Sequence, residues 1–498
     1  MAYRWRASLV VALALFMAVL DNTIVNVALP QMQSSFKTDY QSVIWVITAY
    51  FLAQAAVIPI TGYLSDRLGS KQVFLASVTF FTIGSALCAL SPSIGWLIFF
   101  RVLQGLGGGA LFPLAFAIVF RLFPPAERGP AAATVGLPVF LAPAIGPTIG
   151  GYLTTYYQWP AIFTINVPLG IVAVVLGWWI LKADHPEIAA SGGGFDIPGL
   201  ALAMAGTTGL VYGIFRAGSV GLGDSTVSGL LIASLVLLAG FVVYELRRKD
   251  PVLDLRLFGD WTFASTQLLN WLMTAVMLAS IFLIPFYFEN VQGHTALQTG
   301  IYLIVMGVGA AAGVAIGSQL YNRIGPRPLV VVGIAVFVIG SIGFTTLGVG
   351  TDPWSLWPWL LLRGFGFGST GVPLQNLTLA RVSNLAMARA SSLVNVTRQI
   401  AGAIGVAALT SYLTSRATFH GTQRSEILTQ CSGLIRNLPA LRTCATKYVE
   451  VQALNDTFLV VTLVSLLCLF LSIFLGNDPA VGRRTAEAPR PVAEPAGA

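Results

Sequence analysis

Charge is what this sequence has least of. Asp, Glu, Lys and Arg make up 10% of its 498 residues, against about 25% in soluble domains, while 56% are hydrophobic. One soluble core cannot bury a chain this apolar, so lipid must serve as part of its solvent. Histidine is nearly missing. His185, His294 and His420 stand in separate loops without metal-ligand spacing, which speaks against a metal centre. There is no P-loop lysine, hence no sign of ATP as an energy source. No cluster of His or Asp gathers at one membrane face, as an integral membrane enzyme would need. No polar connection is longer than about forty residues, so no sizeable soluble domain is left over. The net charge of +8 is not gathered into one basic patch, and membrane topology accounts for it better than nucleic acid. Of four cysteines, Cys88 and Cys468 fall in apolar runs as packing residues. Cys431 and Cys444 flank the polar stretch "SGLIRNLPALRT". They pair if that compartment is oxidising, and the sequence leaves both states open.

Long apolar runs are what the chain has instead. Fourteen runs of roughly bilayer-crossing length can be counted, and the class is an all-α polytopic membrane protein. The first follows Arg4 and Arg6 and looks like a signal peptide. No clear cleavage site follows it, so it reads as an uncleaved span. With the N-terminus inside and the spans alternating, eighteen of the 28 Lys and Arg residues fall on the inner side. Seven fall outside, five of them in one outer loop, 416–455. This is the positive-inside bias, and it places both termini in the cytoplasm. Three arginines lie within spans: Arg101, Arg363 and Arg398.

A repeat divides the chain. "GYLSDRLGSK" (62–71) has a weaker echo in "SQLYNRIGPR" (318–327). Arg67 matches Arg323, Gly69 matches Gly325 and Lys71 matches Arg327, but Asn322 stands where Asp66 does. The expected organisation is a six-helix bundle over 1–182, two extra helices with linkers over 183–260, and a second six-helix bundle over 261–480. A disordered cytoplasmic tail, 481–498, follows. Parallel repeats of this kind mark transporters whose halves rock about a midplane site.

Within the first span, "AVLDNTIVNVALP", Asp21 is an ionisable group in hydrocarbon, which points to an ion or substrate path. The alternative is a structural carboxylate locked to an arginine. Asn22 and Asn26 share a helical face, to orient Asp21 or line its cavity. Arg101 lies in "RVLQGLGGGALFPLA", with Asp21, Gln104 or backbone carbonyls as candidate partners. The glycines after it (Gly105, Gly107, Gly108, Gly109) allow close helix approach. In the loop 62–71, Gly62 and Gly69 permit a sharp turn. Asp66 caps a helix or pairs with Arg67 or Lys71, and the cluster latches one state of a transporter. Pro138, Pro143 and Pro147 bend the fifth span, and Gly146, Gly150 and Gly151 give it a smooth face. Gly309, Gly313 and Gly317 form a matching stripe. The two stripes face each other across the bundle interface, or each packs within its own bundle. Glu289, an interface residue or a second titratable site, and Arg398 are further ionisable candidates. Trp45, Tyr50 and Gln54 are candidate cavity-lining residues.

"LDNTIVNVALP", "GYLSDRLGSK", "RVLQGLGGG", "GPTIGGYL" and "FTINVPLG" together resemble the major facilitator superfamily, in its fourteen-helix drug:proton antiporter branch of the EmrB/QacA type. The resemblance covers nearly the whole chain. It implies the major facilitator fold and no enzyme activity. Proton-coupled efflux of amphipathic or cationic compounds is expected, with protons as the coupling ion and no cofactor. The alternative is export of one endogenous solute, such as a lipid, metabolite or siderophore. By resemblance, Asp21 and Arg101 couple proton and substrate, and Asp66, Arg67 and Lys71 gate the cytoplasmic side. Gly146, Pro147, Gly150 and Gly151 form the antiporter signature. The expected partners are membrane lipids and small-molecule substrates in a cell (inner) membrane. A periplasmic adaptor and an outer-membrane channel are left open.

Overall fold

The computed structural model describes residues 2–124, 127–183, 196–221, 223–248, 250–383, 386–423, 431 and 438–476. The tail 481–498 and most of the segment between Gln423 and Leu438 lie outside these. The elements described are all helical. They are α1 (Tyr3–Phe36), α2 (Tyr40–Leu68), α3 (Ser70–Ala89), α4 (Ile94–Leu122), α5 (Arg128–Tyr157), the short α6 (Ala161–Thr164), α7 (Asn166–Ile180), α8 (Ile197–Val220) and α9 (Ser225–Arg247). There follow α10 (Trp261–Phe286), α11 (Ala296–Ile324), α12 (Pro326–Ile342), α13 (Trp357–Leu379), α14 (Met387–Thr422) and α15 (Leu438–Ser472).

Where helices start, short polar side chains answer the first free amides. Asp39 accepts from the Ser42 amide, Asp224 from Thr226 and Val227, and Asp260 from Phe263. Thr295 and Gln298 form a reciprocal capping box at the head of α11. The turn between α2 and α3 hinges on Gly69 at φ 89°, and the turn between α11 and α12 on Gly325 at φ 82°. A side chain is strained there, so the repeat seen in the sequence is also a repeat of backbone shape.

Among the described residues, eleven helices are long and apolar enough to cross a membrane, or twelve if the bent α5 is one span. Fourteen is therefore not confirmed. Two of the fourteen runs correspond to α12, only 17 residues long, and to α13, rich in glycine and polar residues around Arg363. Between Pro143 and Ile145, α5 bends by 48°, as its prolines require. The outer loop expected over 416–455 is shorter than that, because α14 runs on to Thr422 and α15 begins at Leu438.

The helices α1–α7 pack on one another, as do α10–α15. The two groups meet along α5 against α11 and α2 against α14. The helices α8 and α9 pair with each other, and α8 leans on α2 and α14. One apolar core runs through the first group and continues into Val372, Leu379, Leu393 and Val394 of the second. Another is confined to the second group. Large apolar side chains stay exposed on the outside, among them Trp179 at 80% and Val236 at 65%, as a surface facing hydrocarbon would have them.

Candidate functional site

A carboxylate withdrawn from water needs its lone pairs answered. Asp21, fully buried in α1, has them answered from two helices, α4 and α7. Its Oδ2 accepts from Nη1 of Arg101 at 2.6 Å. Its Oδ1 accepts from Nε2 of Gln104 at 3.0 Å and from Nδ2 of Asn166 at 2.8 Å. Arg101 is buried too, and donates further to Gln104 Oε1 at 2.8 Å and to the Val46 carbonyl at 2.9 Å. Its guanidinium lies 4.0 Å from the centre of the Tyr50 ring. Ser85 accepts from both Gln104 and Asn166 and donates to the Phe163 carbonyl. All three kinds of partner foreseen for Arg101 are thus present at once. Removing either member of such a buried pair costs about 3–5 kcal/mol, because the other charge is left uncompensated.

The glycines of α4 make this knot possible. A Cβ on Gly105 would strike Tyr50 and Ala53, one on Gly109 the backbone of Gln54, and one on Gly107 the backbone of Ser77 and Phe81. So α4 lies against α2 on one side and α3 on the other. Gly108 faces the Tyr50 hydroxyl and the Gln54 amide.

A second charge cluster sits about 30 Å farther along α4, at 1.5 Å per residue. Asp66, buried near the end of α2, accepts from Arg121 of α4 at 2.7 Å and from Arg389 of α14 at 2.9 Å. Arg389 also meets Asp250 at 2.6 Å and the Pro251 carbonyl at 2.9 Å, and Asp250 is 3.4 Å from Arg67. The Gly62 amide donates to Ser392 at 2.8 Å, and a Cβ there would strike the backbone of Ala388 and Arg389. Ser391 donates to the Pro113 carbonyl at 2.9 Å. These contacts bolt the two helix groups together at this end. Asp66 does not use Arg67 or Lys71, the partners considered from sequence. Lys71 bonds the Trp178 carbonyl instead, at 2.7 Å.

A sequence profile of the Major Facilitator Superfamily matches residues 11–406. The chain belongs to that superfamily. It is 33% identical to "Multidrug resistance protein B homolog" of Mycobacterium tuberculosis (strain ATCC 25618 / H37Rv), over 96% of this chain and 91% of that protein. It is 32% identical to "Multidrug export protein EmrB" of Escherichia coli (strain K12), over 84% and 82%. These relatives place it in the EmrB/QacA drug:proton antiporter type. Among solved structures, the human organic anion transporter MFSD10 superposes with a TM-score of 0.64 at 16% identity, covering 93% of this chain and 100% of that one. The resemblance to MFSD10 is one of fold.

The major facilitator arrangement brings only some of the expected residues together. Asp21, Arg101, Gln104 and Tyr50 form the knot. Gln54 is buried beneath α4. Asn22 is half-buried and Asn26 exposed; Asn26 donates to the Asn22 carbonyl, and no hydrogen bond joins either side chain to Asp21. Trp45 is 38% exposed, its ring 5.7 Å from that of Tyr212 on α8. Glu289 is exposed in the π-helical turn after α10, with no ion pair to the knot among the described residues. Arg398 lines a cavity between the two halves. Gly146 and Gly150 abut Thr23, Ile24 and Val27 of α1, while Gly151 and Pro147 touch Leu297 and Gly300 of α11. The stripe Gly309, Gly313 and Gly317 faces Leu361, Phe365 and Ser369 of α13, within its own half. So α5 and α11 do pack together, but not through that stripe. Cys431 and Cys444 form a disulfide.

Asn166 and Ser85 escaped the sequence reading. Asn166 lies in "FTINVPLG", where its amide is the polar exception in an apolar run, and that was the available signal. Arg363 of α13 is fully buried in the second half. It bonds Ser341 at 2.8 Å and Ser280, lies 4.6 Å from the Phe337 ring, and has no carboxylate partner among the described residues.

Proposed function

We propose that the protein is a proton-coupled multidrug efflux transporter working by alternating access. The observation that carries this reading is the Asp21–Arg101 knot, a titratable pair sealed from water and held by α1, α2, α4 and α7 together. The relatives named for multidrug resistance and export support the efflux part. A compound enters the cavity between the halves from the cytoplasm or inner leaflet. The Asp66–Arg389 bolt closes that side. A proton arriving from the opposite side neutralises Asp21, frees Arg101, and favours return to the inward-open state. Both termini lie in the cytoplasm, and the chain is multi-pass in the cell membrane. Its partners are membrane lipids and small-molecule substrates. A periplasmic adaptor and outer-membrane channel extend the path only where a second membrane exists.

The test is transport in proteoliposomes with an imposed pH gradient. Asp21→Asn is expected to reduce gradient-driven export to the level of protein-free vesicles, and Asp21→Glu to retain part of it. Export by Asp21→Asn that still follows the gradient as in the wild type would overturn the assignment of Asp21 as the proton carrier.

A further inference from the structure

We infer that the cavity between the halves holds the anionic head group of an amphipathic substrate, with Arg398 as its counter-ion. This rests on the export reading and narrows its substrate. The cavity, about 70 Å³, is walled by α4, α5, α10, α13 and α14, room for a head group rather than a whole amphipathic molecule. One wall is apolar, with Phe112 and Phe116 from the first half and Phe367 from the second. Arg398 is the one charged group among the described lining residues; no Asp or Glu lines the space. Its guanidinium carries five N–H donors. One nitrogen, Nη2, meets Asn395 Oδ1 at 2.6 Å, and the guanidinium lies 4.3 Å from the centre of the Phe112 ring. Among the described residues no carboxylate forms an ion pair with it. Gln375, also lining the space, is 3% exposed, and its Nε2 is buried without a hydrogen-bond partner.

The cavity therefore offers unspent donors beside an aromatic wall. An acceptor-only oxyanion on an apolar tail answers both, because charge-assisted bonds to a guanidinium are the strong ones. A cationic compound would meet like charge at Arg398. It would find no free carboxylate either, since Asp21 is occupied by Arg101, Gln104 and Asn166.

The experiment compares three ten-carbon probes, decanoate, decanol and decyltrimethylammonium, binding to the full chain in zwitterionic nanodiscs, with empty discs subtracted. Decanoate is expected to bind most tightly. Arg398→Gln should weaken decanoate about 10-fold while leaving decanol unchanged, the size of one lost charge-assisted bond. Arg398→Lys should retain part of the preference. Gln375→Leu should weaken decanoate about 3-fold, and carries the test alone if Arg398→Gln does not fold. Unchanged decanoate binding in the folded variants, or a wild type that prefers the ammonium probe, would overturn the inference. Decanoate binding that depends on Arg398 without gradient-driven export would overturn the export reading and leave the site standing. Gradient-driven export of cations indifferent to Arg398 would do the reverse.

Discussion

Asp21 shows how far single residues can be read. That a carboxylate in an apolar run needs a guanidinium follows from solvation alone, and Arg101 was the natural choice. Which amide completes the shell does not follow. Asn22 and Asn26 are near in sequence, but neither side chain bonds Asp21. Asn166 is 145 residues distant and bonds at 2.8 Å. Because it answers one oxygen of a buried carboxylate, Asn166→Leu should destabilise the protein by about 1–3 kcal/mol, the cost of leaving a buried polar atom unsatisfied. A fall in the half-inactivation temperature in detergent would report this. Asn166→Asp should lower it further, by setting a second carboxylate against Asp21.

At the scale of helices, the apolar runs located most of the elements, since bilayer thickness fixes their length. Partners were harder. Glycine stripes mark where backbones approach, but a helix that is small on several faces does not say which face meets which neighbour. The stripe on α11 thus serves α13, and α5 reaches α11 through Pro147, Gly151 and Gly300. A clean contrast lies between α4 and α9. A Cβ on Gly107 would stand 2.5 Å from the Phe81 amide and the Ser77 carbonyl, whereas Gly240 on α9 has open space around it. Gly107→Val should cost about 1–3 kcal/mol or more by overpacking, and Gly240→Val should be near neutral. Thermal unfolding of the two variants under one set of conditions checks both.

For the whole molecule, the repeat pointed to two halves, but the bolt between them was illegible. Arg389 lies 323 residues from Asp66, and the sequence reading counted it only among the positive inner charges. Asp66→Asn removes the anion that holds both Arg121 and Arg389, leaving α14 tied through Asp250. That should shift the population toward the state open at this end. A cysteine placed at Ser391, a buried residue on the Pro113 carbonyl, is expected to label about 5–30-fold faster in that background, for a loss of one or two kcal/mol. An unchanged labelling rate would mean the bolt does not hold the closed state.

The two halves differ in one further respect, and it is electrical. Arg101 faces a carboxylate that a proton can discharge; Arg363 faces two serines that hold no such charge. On the proposed reading, with Asp21 as the carrier, one proton moves per turnover. Exchanged inward against one monoanion moving outward, it transfers two charges in the same electrical direction. The membrane potential then contributes about 2.3 kcal/mol per charge for each 100 mV, and both charges count. With a monocation as cargo the same exchange would be silent. A potassium diffusion potential set with valinomycin, at equal pH on both sides, is therefore expected to drive decanoate export by itself.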